Sequence, residues 1–81
     1  MATEFAPLAP GTKLATVGTF YPAEIVTSEV QPARFHKGRM VRTSVIRWTE
    51  DNPLADIREG DEEVWAHIEG CTPRFVVTAD N

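Results

Sequence analysis

With 81 residues the chain is long enough for one domain and too short for two, and a domain of this size buries only about two thirds of its unfolded surface. Its 42% hydrophobic and 25% charged residues are ordinary for a globular protein and exclude global disorder. No run approaches the roughly 18 apolar residues of a membrane span, and no basic, then apolar leader opens the chain. An intracellular protein is expected, and a lone cysteine, Cys71, agrees with a reducing compartment.

The net charge of −4 hides a segregation. From Val30 to Thr49 there are five basic residues (Arg34, Lys37, Arg39, Arg42, Arg47) and no acidic one, giving +5. From Glu50 to Glu69 eight acidic residues face one basic residue, giving 1 − 8 = −7. Either the two segments are neighbours that compensate one another, which is the expectation, or they form a bipolar surface that steers a charged partner.

In chain order, residues 1–10 are rich in Ala and Pro and are expected as a flexible arm, with Phe5 and Leu8 its only large apolar side chains. The folded part is expected over residues 11–78, with a short tail at 79–81. Lys13–Val17 reads as a short strand ended by Gly18. Thr19–Val30 reads as a second, with Tyr21, Ala23 and Ile25 on one face and Pro22 confined to an edge, a first residue or a bulge. Gln31–Gly38 is the connection, basic and long. It leads into Arg39–Thr49, the longest β-branched stretch free of Gly, Pro and acids and hence the central strand. There Val41, Thr43 and Val45 lie on one face and Met40, Arg42, Ser44, Ile46 and Trp48 on the other. Neither face is cleanly apolar, which suits a strongly coiled sheet. Asn52-Pro53 predicts a helical or 3₁₀ turn that Gly60 stops. Asp61–Glu69 fits a helix burying Val64, Trp65 and Ile68, or a strand with Val64, Ala66 and Ile68 opposite Trp65 and His67. The strand is favoured because Gly60-Asp61 makes a turn and the rest of the chain is β-like. Arg74–Thr78 is a last strand.

Candidate chemistry is sparse. His36, His67 and Cys71 have no paired metal-ligand spacing, and the five glycines are scattered at turns rather than gathered in a phosphate loop. Asp61-Glu62-Glu63 reads as a solvated turn, His67 as a structural histidine and Cys71 as an inert thiol.

Gly11 and Leu14, then Tyr21-Pro22-Ala23-Glu24-Ile25, then Val41–Trp48, resemble the opening of Tudor and other SH3-like small barrels, over Gly11–Asp56. The resemblance implies an aromatic cage for methylated lysine or arginine, with Tyr21 and Trp48 as walls. The chain departs from that pattern after Trp48, where Glu50-Asp51-Asn52 replaces another aromatic, and in its short first hairpin, which adds none. Type II dihydrofolate reductase shares the spacing of the opening, but its Val-Gln-Ile-Tyr strand has no counterpart here.

The sequence therefore predicts a mostly β domain, an SH3-like small barrel of about five strands with one short helical turn. It predicts a non-catalytic interaction module that binds a protein or peptide through Tyr21, Trp48, Arg34, Phe35, Lys37, Arg39 and Arg42. A nucleic-acid binder using the basic 34–47 segment, with Phe35 stacking on a base, is the second reading. A small oligomeric enzyme with a site at its interface, near Asp61 and His67, is the third. No cofactor, metal or membrane is expected, and a homo-oligomer stays open.

Overall fold

The computed structural model describes residues 5–78. The first four residues of the expected arm and the expected tail 79–81 lie outside the described residues. The protein is mostly β: β1 (Lys13–Thr16), β2 (Pro22–Pro32), β3 (Met40–Trp48), a 3₁₀ turn over Pro53–Ala55, β4 (Glu62–Ile68) and β5 (Phe75–Val77). The strands form one antiparallel sheet in the order β4-β3-β2-β1-β5, with β3 and the long β2 at its heart.

Local chemistry accounts for most boundaries. Pro22 is the first residue of β2, where a missing amide removes nothing from the ladder. The strand continues two residues past the expected Val30, to Pro32, which pairs with Met40. The connection is consequently Ala33–Arg39, closed by the Ala33 amide donating to the Arg39 carbonyl (2.9 Å), with Gly38 at φ 83° supplying a conformation that a Cβ resists. The 3₁₀ turn starts at Pro53 as expected, but the Asn52 side chain makes no capping bond; an antiparallel bridge between Asn52 and Ile57 holds the loop instead.

A bulge between Ile25 and Thr27 shifts the β2 register, so that Ala23, Ile25 and Ser28 all serve the same face. That face holds the core: Leu14, Ala23, Ile25, Ile46, Trp48, Trp65 and Phe75, with Leu8, Tyr21 and Ile57 packed against it. Every strand contributes at least one member. Val41, Thr43, Val45, Val64 and Ala66 are on the opposite face.

The expected barrel closure does not occur. β4 and β5 are the two edges of the sheet and share no ladder. The sheet coils far enough to bring Trp65 of β4 onto Phe75 of β5 (centroids 5.0 Å) and Glu63 onto Arg74 (3.0 Å), so side chains rather than amides span the seam. β5 is only three residues long and pairs with β1 along one edge, so its free edge is too short to ladder with the seven residues of β4.

The segment expected as an arm lies, from Phe5, across the Arg42 end of the core face. The Leu8 amide donates to Ser28 Oγ (3.1 Å), Arg42 donates to the Ala6 carbonyl (3.3 Å), and the Arg42 guanidinium sits 5.1 Å from the Phe5 ring and 5.3 Å from Trp65. These contacts explain how polar Arg42 and Ser44 can occupy the core face of β3.

Candidate functional site

The seven candidate residues fall in three separate places. Arg34, Phe35 and Lys37 are exposed at the tip of the β2–β3 hairpin, where Phe35 is 87% exposed and the Arg34 guanidinium lies 6.0 Å from its ring. Arg39 is exposed and reaches back to the Glu69 carbonyl (3.5 Å). Arg42 is enclosed by Phe5, Trp65 and His67, and burial pushes its guanidinium below the ordinary arginine range. It is a bracket for the residues before β1, not part of an open surface. His67 completes the same bracket: its Nε2–H donates to the Cys71 carbonyl (2.8 Å), which leaves Nδ1 to accept from Arg42 (3.3 Å).

Tyr21 and Trp48 do come together. They line one open cavity of about 370 Å³ at the end of the sheet, with Thr16 and Val17 from the end of β1, Thr19 from the turn, Asn52, Ala55 and Ile57 from the loop after β3, and Arg74 from the far edge. An accessible rim position for Trp48 is not what the structure has: the residue is 2% exposed. Coiling of the sheet lays Phe75 beside it (centroids 5.6 Å) and Arg74 over it (5.8 Å), two partners from the opposite edge that strand alternation cannot reveal.

Two features of this cavity stand out chemically. Trp48 Nε1 and Asn52 Oδ1 are buried and without a hydrogen-bond partner; only Arg42 Nε shares that condition among the described residues. Each such atom costs about 1–3 kcal/mol of desolvation, and native proteins contain few. Among the described residues the two non-glycine residues with positive φ, Phe20 (59°) and Asp56 (56°), adjoin the same cavity in sequence. Phe20 and Leu54, 70% and 95% exposed, adjoin it as well and give this end an apolar fringe.

A cation cage is not what these rings form. The seat over Trp48 and Phe75 is taken by Arg74, 5.8 and 5.1 Å from the two centroids and paired with Glu63. The acidic triplet is likewise engaged: Asp61 accepts from the Arg58 amide, Glu62 pairs with Arg47 (2.9 Å) and Glu63 with Arg74. Among the described residues no three His, Cys, Asp or Glu side chains are grouped to hold a metal ion. Asn52 and Arg74 are the members that sequence reasoning missed. Asn52-Pro53 is legible as a turn, but nothing in the dipeptide says that the amide side chain turns inward.

The chain matches no family model, no curated protein and no solved structure.

Proposed function

We propose that the protein is a non-catalytic interaction module that receives a peptide segment of a protein partner at the Tyr21–Trp48 cavity. The observation that carries this reading is the pair of orphaned, buried polar atoms on two residues that line the cavity. Trp48 Nε1 can only donate and Asn52 Oδ1 can only accept. An amide group, from a peptide backbone or a Gln or Asn side chain, offers one acceptor and one donor together. With Arg74 displaced from over Trp48, such a group would offer a partner of the right kind to each atom. Arg74 is the movable wall, because its half-exposed pair with Glu63 contributes only about 0–1 kcal/mol. Apolar Phe20 and Leu54, exposed at the same end, supply apolar contact area beside the polar pair.

The test is a titration of the isotopically labelled chain with N-acetyl-glutamine amide, followed through its two tryptophan indole N–H signals. The Trp48 signal, assigned with a Trp65→Phe variant, should move while the Trp65 signal stays, and Asn52→Ala should abolish the shift. No movement of the Trp48 signal at amide concentrations up to solubility refutes the reading. The nucleic-acid reading is weaker, because the exposed cations at the hairpin tip are few and the field of the whole chain is negative.

A further inference from the structure

The fold gives the segregated charges a geometry. The Ala33–Arg39 connection, at the Met40 end of β3, carries Arg34, Lys37 and Arg39 with no acidic residue. The Thr49–Asp61 segment, at the Trp48 end, carries Glu50, Asp51, Asp56, Glu59 and Asp61 against Arg58, a local balance of 1 − 5 = −4. The nine residues of β3 separate the two ends by roughly 27 Å at about 3.3 Å per residue, along a molecule whose longest extent is 39 Å. That is about three Debye lengths at physiological salt, so the two ends do not neutralise one another through space. Among the described residues the ion pairs between the halves are confined to Arg47–Glu62, at the Trp48 end of β3, and neither Arg34 nor Lys37 has an acidic partner. Glu69, which follows β4 directly at the hairpin end, has its carboxylate accepting from the Met40 amide.

Apolarity follows the same axis. The basic tip presents Phe35, and the acidic end presents Phe20, Leu54 and Val17. Each end thus carries the charge and the apolar group that the other lacks a partner for.

We infer that the occupant of the acidic end is the hairpin tip of a second copy of this chain, so that the protein associates head to tail. Arg34 and Lys37 of one copy meet the Glu50–Asp61 acids of the next, with Phe35 against Phe20 and Leu54. Such a contact is heterologous and leaves a free tip and a free acidic end on every assembly, so it extends into short chains rather than stopping at a closed dimer. Its attraction is between exposed charges, so it weakens as salt rises. This inference rests on charge and topology, and because it uses Phe20 and Leu54 the hairpin tip competes with a peptide at the Tyr21–Trp48 cavity for the same end.

Sedimentation velocity of the full chain tests it. At low ionic strength the weight-average mass should climb steadily with concentration and return to that of the monomer at about 0.5 M salt, where the Debye length is under about 5 Å. The reversals R34E/K37E at the tip and E50K/E59K at the acidic end should each abolish association, since the first leaves two negative ends (the tip at 1 − 2 = −1) and the second removes the charge of the acidic end (3 − 3 = 0). Mixing the two variants should restore pairing, one to one, because the intact tip of the second finds the intact acidic end of the first. A monomer at millimolar protein and low salt overturns the inference, as does a mixture that stays monomeric. A closed dimer of fixed mass, insensitive to both reversals, would assign self-association to another surface, such as the free β4 edge, and overturn it too. A monomer that binds a polylysine or an oligonucleotide would give the ends to foreign partners.

Discussion

Replacing Trp48 by Phe isolates the energetic cost of its unpartnered indole N–H. The variant keeps a ring against Phe75 and loses the second ring from a site that is 2% exposed. Losing that apolar area costs roughly 1–2 kcal/mol at about 0.8 kcal/mol per buried methylene-sized group. Removing a buried donor that lacks an acceptor returns about 1–3 kcal/mol. The two nearly cancel, and the net change should lie between about 1 kcal/mol less stable and about 2 kcal/mol more stable. Trp65→Phe is the control. Trp65 is equally part of the core, its nitrogen is not among the buried unpartnered atoms, and the substitution also weakens its stack on His67 (5.8 Å, 10°). It should therefore cost about 1–2 kcal/mol with nothing returned. Each variant retains a single tryptophan, so urea unfolding followed by fluorescence reads both. With a slope near 1 kcal/mol per molar urea for a domain this small, the midpoints should differ by about 1 M or more in favour of Trp48→Phe. A Trp48→Phe midpoint at or below that of Trp65→Phe would refute the claim that the Trp48 donor is unsatisfied, and with it the chemical case for the cavity.

Trp48→Ala, by contrast, should cost about 3–5 kcal/mol, against a total of about 4–12 kcal/mol for a chain of this length, and leave a substantial unfolded fraction in circular dichroism melts. Phe20→Asn should raise the midpoint slightly, by up to about 1 kcal/mol, because asparagine tolerates the positive φ of 59° that phenylalanine resists; a loss of stability would show that the exposed ring has a packing role. Arg42→Met should leave global stability within about 1 kcal/mol, since it removes a partly desolvated cation with an unpartnered Nε along with its contacts. It should nevertheless speed amide exchange at Leu8, because the bond to the Ala6 carbonyl and the contact with Phe5 are gone. A double-mutant cycle on Arg47 and Glu62 should return no more than about 1 kcal/mol, the pair being close to half exposed on both sides.

The strands were legible where a single residue type dictates a single conformation. The run from Met40 to Trp48 has the β-branched content and freedom from Gly and Pro that a central strand requires, and the alternation of Trp65 and His67 against Val64, Ala66 and Ile68 is the one observed in β4. Pro22 and Pro53 each sit where their missing amide is harmless. What could not be read was set by residues distant in sequence. Whether Trp48 ends at a rim or in a core depends on Phe75 and Arg74, delivered from the other edge by the coiling of five strands. Arg42 looked like surface because its aromatic partners, Phe5 and Trp65, lie 37 and 23 positions away (42 − 5 and 65 − 42). The seven candidate residues shared a composition, aromatic and basic, and composition carries no information on which of them the topology places together.

The pairing of β1 with β5 has a kinetic consequence. Leu14 and Val77 are 63 positions apart (77 − 14), whereas β2, β3 and β4 are joined by consecutive antiparallel connections. Closing the long loop costs chain entropy before any contact rewards it, so the β2–β3–β4 meander should assemble first and β5 should dock last. The reverse order governs opening. With three ladder residues and only side chains across the seam, β5 is the element whose detachment sacrifices least, and its departure uncovers Phe75 together with the faces of Trp48 and Trp65. The partly opened form reached at least cost would thus present a row of three aromatic rings beside two unpaired strands, and the three residues of β5 stand between the folded chain and its most adhesive state.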